Sequence, residues 1–272
     1  NENRYVKILL IGFAFNNAQK AHPKFLPLPY SMWINGEPGS SSAVLHDRKL
    51  ALRDRTIQLQ SNYPLTQHNT FGIAAHALLF GRFNSTAQLA TLLNMPEVAG
   101  MPRSFLRGGS NILFTQDFPG VVLLNEIPGI TVVKEDDENV VVKAGAGVGW
   151  HQFVLHCVEN GWGGIENLSL IPGKVGAARM QNIGAYGVEI KDNFVELEAY
   201  RLADGELVTF DREACQFGYR ESFFKRAGKD QYVIVSVTFR LDKKHILNTS
   251  YGTISQELEQ MGILEPTIND VS

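Results

Sequence analysis

The chain has 272 residues, 44% hydrophobic and 19% charged, with a formal net charge of −3. That balance describes a globular chain with one or two domains and a sizeable core, and it excludes the basic stripe of a nucleic-acid-binding protein. The two cysteines, Cys157 and Cys215, make neither a disulfide framework nor a zinc spacing, which predicts a reducing, cytoplasmic setting, and no apolar run approaches the ~20 residues needed to span a bilayer.

Along the chain, the apolar run 8–15 follows Arg4 and Lys7 and has the form of a secretion-signal core, but no small-x-small cleavage site comes after it. Residues 16–61 mix Pro, Gly, Ser and scattered charge without a period and are expected to be an extension that is poorly ordered or of doubtful origin. Regular patterning begins near Asn69. Ser85 and Gln88 form a capping box ahead of a short helix carrying Leu89, Leu92 and Leu93. Phe105-Leu106 reads as a strand end, and short strands are expected at 121–124, 130–133 and 140–144. Trp150, Phe153, Val154, Cys157 and Val158 sit at i, i+3, i+4, i+7 and i+8, which predicts an amphipathic helix with Gly161 closing its end and Cys157 filling core. Residues 196–201 and 206–210 flank Asp204-Gly205 as a β-hairpin, and 232–241 is a last strand. The class is α+β.

Three segments stand out for chemistry. Residues 171–189 hold Gly173, Gly176, Gly184 and Gly187 beside Gln181-Asn182. This run reads as neither helix nor strand, but as a backbone wall against a flat, polar, phosphate-bearing ligand. Gly108-Gly109-Ser110-Asn111 follows a strand and can cradle a pyrophosphate through its N–H groups, or can be an ordinary turn. It has neither the G-x-G-x-x-G spacing nor the Gly-Lys-Ser/Thr of a P-loop. In residues 217–222, Arg220 can bind a carboxylate bidentately or can pair at the surface with Glu221 or Asp211. Tyr251 either holds a phosphate or belongs to a turn. The seven histidines form no metal-like cluster, and nothing pairs Glu166 with His151.

Residues 106–113, 171–189 and 217–225, opened by Asn69-Thr70-Phe71-Gly72, occur in the order and approximate spacing of the bacterial UDP-N-acetylenolpyruvoylglucosamine reductases, which the chain resembles from about residue 62 onward. The resemblance implies an α+β, FAD-binding fold of the vanillyl-alcohol-oxidase type, with two α+β subdomains and FAD between them. The expected division is an extension at 1–61, a flavin domain at 62–244 split near 125, and at 245–272 the start of a linker to a substrate-binding domain. It implies a cytoplasmic flavoenzyme of peptidoglycan precursor synthesis, in which NADPH and noncovalent FAD serve to reduce UDP-N-acetylglucosamine enolpyruvate to UDP-N-acetylmuramate. By the same match, Gly108, Gly109, Ser110 and Asn111 hold the FAD pyrophosphate. Gln181, Ile183 and Gly184 line the flavin, with Tyr219 beside it. Arg220 is the catalytic arginine that stabilises an enolate-like charge, and Tyr251 closes over the substrate diphosphate.

The chain departs from the family's pattern at Arg107, where a Gly is usual, and at Ala177-Ala178-Arg179, in place of small-small-Pro. Arg179 is expected to point into solvent. The family's proton-donating serine and a glutamate belong to a domain beyond Ser272, so the chain is expected to be incomplete and inactive alone. Two other readings are a flavin-binding module without catalysis and a different oxidase of the same fold.

Overall fold

Alternating and continuous apolar runs lay down two β-sheets, one after the other along the chain. The computed structural model describes residues 6–8 and 57–272 apart from 111, 181 and 253. These belong to one unit of the chain. Sequence readings that fall on 1–5 and 9–56 lie outside the described residues.

The first sheet has β2 (Gln60–Pro64), β3 (His76–Phe83), β6 (Phe118–Asn125) and β4 (Arg103–Leu106) in that spatial order. β2 runs antiparallel to β3, while β3 and β4 are both parallel to β6. The central β6 is buried along nearly its whole length, which is why it reads as a continuous hydrophobic run. Helix α1 (Thr86–Leu93) connects β3 to β4 and buries Leu89 and Leu92 against Phe83, Val121 and Leu123. The Ser85 hydroxyl accepts the Gln88 N–H at 3.2 Å. The Gln88 side chain reaches back one residue further than the capping box requires, to the Asn84 N–H at 2.9 Å. Val6–Ile8, at the front of the apolar N-terminal run, form β1 and pair antiparallel with β5 (Ile112–Phe114).

The second sheet is antiparallel throughout, in the order β12 (Leu207–Asp211), β11 (Phe194–Arg201), β13 (Tyr232–Asp242), β8 (Asn139–Gly145) and β7 (Ile130–Glu135). Gly205 takes φ of +80° in the β11–β12 turn, a conformation that suits glycine. Helix α2 (Trp150–Glu159) packs its apolar stripe on this sheet, with the Phe153 and Phe239 rings 4.9 Å apart. The Gly161 N–H bonds Val158 O and the Trp162 N–H bonds Cys157 O, at 3.0 and 2.8 Å. With Gly161 at φ +72° this is a Schellman stop.

The structure corrects two expectations. Residues 171–189 are not free of regular structure. They contain helix α3 (Val175–Met180) and a ribbon of β9 (Gly184–Ala185) and β10 (Val188–Glu189). Val175 and Ala178 are buried in the main core, and a Cβ on Gly176 would lie 2.7 Å from that of Ala146. Close tertiary packing therefore sustains a helix that propensity disfavours. Order also begins before Asn69, because β2 starts at Gln60 and Ile57 and Leu59 pack against the α1 cluster. Near the C-terminus, helices α4 (Ile254–Gln260) and α5 (Ile268–Val271) follow β13, and Ile268 is buried in the main core.

Candidate functional site

Where β4 ends, the chain turns through Gly108 and Gly109 at φ of +121° and +72°. A Cβ on Gly109 would overlap the carbonyl oxygen of His68. The segment behind it is fixed by Asn69, whose side chain donates to Leu65 O (2.8 Å) and Ile73 O (3.1 Å) and accepts the Ile73 N–H (2.9 Å). Thr70 then donates its N–H to Gly109 O at 3.3 Å and its hydroxyl to Ser110 O at 3.3 Å. The loop is thus held by its carbonyls. The N–H groups of Gly108, Gly109 and Ser110 make no hydrogen bond among the described residues.

A second glycine bend faces the first. Gly173 has φ +120°, and a Cβ on Gly108 would lie 3.4 Å from the Gly173 Cα. A Cβ on Gly173 would in turn meet the Ser110 Oγ at 3.2 Å. The two bends are positioned by opposite parts of the fold: β4 of the first sheet delivers one, and the Trp150 N–H at the start of α2 fixes the other by donating to Gly173 O at 2.9 Å. Consecutive unpaired N–H groups facing bare backbone make an anion-binding concavity. Asn111 and Gln181 lie outside the described residues, as does the side chain of Arg179.

Two cations flank Gly108, and only the first drew notice in the sequence. Arg107 turns inward, its Nη1 against the Met180 sulfur and its Nε buried with no partner among the described residues. Burial pulls its pKa down to about 10, with Asp230 opposing the shift. Lys174 lays its side chain beside Gly108 and donates Nζ to Asn125 O at 3.1 Å. Its pKa is lowered chiefly by burial, with Glu126 opposing and Arg82 adding to the shift. Lys174 was legible only as the residue after a left-handed glycine.

The other expected residues gather around the ribbon. Asn182 is buried and faces inward, not toward a ligand. It donates to Glu189 Oε2 at 3.0 Å and Gly218 O at 3.2 Å, and accepts the Lys191 N–H at 3.2 Å. It is therefore a brace between the ribbon and the 217–222 turn, a role assisted by Ser222, whose buried hydroxyl donates to Met180 O at 2.6 Å. Ile183 is in the main core, its N–H bonded to Ala178 O and its carbonyl to the Ile190 N–H. Gly184 O accepts from the Arg220 guanidinium at 3.2 Å. Tyr219 and Arg220 form the tip of a tight turn closed by mutual Gly218 and Glu221 hydrogen bonds of 3.1 and 3.2 Å. Arg220 has φ +54° and Tyr219 is 84% exposed. The Glu221 carboxylate faces Lys225 and Arg226 at 3.2 and 3.7 Å, so the surface pair that spacing equally allowed for Arg220 is formed by other cations. Tyr251 is exposed and edge-on to Tyr186, ring centroids 6.4 Å apart, and beside Gly187.

Cys157 is fully buried and its thiol pKa is pushed up by burial, so it is a core residue and not a nucleophile. The His151 Nδ1 accepts the Leu170 N–H, and the buried Glu166 accepts the Gly164 N–H. Among the described residues no three His, Cys, Asp or Glu side chains gather to hold a metal, and no helix is long and apolar enough to cross a membrane.

A family model for an FAD binding domain matches residues 78–211, which include both glycine bends. The paired bends, the free N–H groups and the orphaned Arg107 Nε fit a cofactor carrying a diphosphate. The UDP-N-acetylenolpyruvoylglucosamine reductase of Burkholderia lata is 50% identical over 214 residues, 79% of this chain and 61% of the relative. That of Burkholderia cenocepacia is 51% identical over 210 residues, 77% and 60% of the two chains. The chain thus spans about three fifths of the length of these curated relatives. Among solved structures, the UDP-N-acetylenolpyruvylglucosamine reductase of Thermus caldophilus aligns with a TM-score of 0.55 at 22% identity, covering 78% of this chain and 71% of that one. This likeness shows the fold. Over the stretch it shares with these relatives, the chain is about half identical to UDP-N-acetylenolpyruvoylglucosamine reductases, and it has the α+β, FAD-binding fold of the vanillyl-alcohol-oxidase type.

Proposed function

We propose that the chain is the flavin-binding part of an oxidoreductase that reduces the enolpyruvyl group of UDP-N-acetylglucosamine enolpyruvate to UDP-N-acetylmuramate, with NADPH as reductant, in the cytoplasmic synthesis of peptidoglycan precursors. The observation that carries this reading is the facing of Gly108–Ser110 with Gly173, a backbone site for a diphosphate, within a chain half identical to reductases of that name. FAD, when bound, supplies the hydride chemistry.

The protein's residues do the rest. Gly108, Gly109, Ser110 and Asn111 hold the cofactor's phosphates, and Gln181, Ile183, Gly184 and Tyr219 surround its ring. Among the described residues the Arg220 guanidinium donates to one backbone carbonyl, Gly184 O, beside the exposed Tyr219. Its remaining N–H groups can meet a carboxylate and stabilise the charge that grows on it when hydride adds to the double bond. Tyr251 offers its exposed phenol to the diphosphate of the UDP-sugar. The flavin domain on this reading is 62–244, divided near 125 where the first sheet ends, and 245–272 leads toward a substrate-binding domain.

The test is the visible absorption spectrum of the purified chain before and after acid precipitation. A flavin band released into the supernatant is expected. A band that stays with the precipitate would indicate a covalent flavin, as in oxidases of this fold, and would overturn the reductase reading.

A further inference from the structure

Gly108 lies between two cations that come from different parts of the fold. Arg107 precedes the loop at the end of β4, and Lys174 follows the opposing Gly173. The Arg107 Nε is buried with no partner among the described residues, a state that folds tolerate poorly unless an acceptor arrives. The N–H groups of Gly108, Gly109 and Ser110, which follow it directly in the chain, make no hydrogen bond among the described residues. Asp230 is the acidic group acting on Arg107, and the structure gives no ion pair between them. Lys174 is in the same condition in milder form, half-buried with a backbone carbonyl as its hydrogen-bond partner, its charge opposed only by Glu126, which already pairs with Arg82 at 2.7 Å.

We infer that Arg107 and Lys174 form the cationic half of a diphosphate site whose other half is the Gly108–Ser110 backbone. The inference rests on the flavin reading for the identity of the natural ligand, but its chemistry stands without it. A turn of glycine N–H groups alone binds a diphosphate through dipoles. With two desolvated cations beside it, binding is charge-assisted, stronger and dependent on salt.

The experiment uses the cofactor-stripped chain with inorganic pyrophosphate as the probe, read by calorimetry and thermal shift at low and high salt. The wild-type chain is expected to bind pyrophosphate and to melt at a higher temperature with it. Arg107→Ala is expected to weaken binding at least tenfold and to flatten its salt dependence, with Lys174→Gln smaller in the same direction. Arg107→Lys, should the alanine variant fail to fold, is expected to keep part of the affinity. Equal or tighter pyrophosphate binding by Arg107→Ala, or no more binding by Arg107→Lys than by Arg107→Gln, would overturn the inference, because the charge at position 107 would then contribute nothing to the site. FAD titrations of the same variants separate the two readings. Pyrophosphate binding that needs Arg107, without FAD binding, refutes the flavin reading and supports this one; FAD binding indifferent to both substitutions does the reverse.

Discussion

Helix α2 is hydrogen-bonded to the Gly173 bend, yet the helix and the two glycine bends answer to opposite demands. In α2 the side chains carry the value: Trp150, Phe153, Val154, Cys157 and Val158 are all buried, and the Trp150 indole N–H is satisfied by Leu168 O at 2.8 Å. At Gly108, Gly109 and Gly173 it is the lack of a side chain that matters, because backbone must approach backbone and N–H groups must stay unpaired. The first N–H of α2 donates to Gly173 O, so the rigid region directly anchors the receptive one. Stability and ligand binding should therefore separate cleanly by residue.

The largest effect should come from the rigid side. Phe153→Ala removes a fully buried ring packed on Phe239 and should cost about 3–5 kcal/mol in denaturant unfolding, while the surviving folded fraction binds flavin with unchanged affinity. Gly109→Ala should blur the separation, since the new methyl strains a left-handed residue and strikes His68 O. A stability loss of about 1–3 kcal/mol and a flavin affinity reduced at least tenfold are expected; flavin fluorescence titration beside the melt checks both. Arg220→Ala should leave stability within about 0.5 kcal/mol and the flavin in place. In a protein of the relatives' length it should slow enolpyruvyl reduction by roughly a hundredfold or more. Near-normal turnover there would refute the role given to Arg220.

The smallest effect is one of pH. Burial, helped by the charge of Arg82, holds the His68 pKa below its ordinary 6.5 in the folded chain, so the unfolded chain takes up the proton first. Stability is fully present above about 6.5 and declines as pH falls toward the lower folded value. Because the His68 backbone seats Gly109, this decline is expected to accompany loosening of the loop. His68→Gln should flatten the profile over that window, and an unchanged profile would show that His68 does not contribute.

These two regions also differ in how far they could be read from residues alone. The period of α2 is written in Trp150 to Val158, and its stop in Gly161, because burial of one helical face leaves a 3.6-residue trace. The β11–β12 hairpin was equally plain from Asp204-Gly205. Helix α3 left no such trace. Its Gly176 and Ala178 are chosen for close approach to the core, and small residues carry little periodic signal. β2 was hidden for a different reason, being exposed at nearly every position. The glycine loops announced a phosphate-bearing ligand, but spacing says nothing about what faces what. The meeting of Gly108 with Gly173, the inward turn of Asn182 and the burial of Arg107 all depend on contacts between segments far apart in sequence.

The two cysteines have a practical consequence. Cys157 and Cys215 are both fully buried, so an alkylating reagent reaches them only when the surrounding structure opens. Burial also keeps the Cys157 thiol protonated, which slows attack from within the native state. The pair therefore acts as two stopwatches within one chain, one on α2 and one beyond the β11–β12 hairpin. The order in which mass spectrometry finds them labelled would tell which of those elements lets go first.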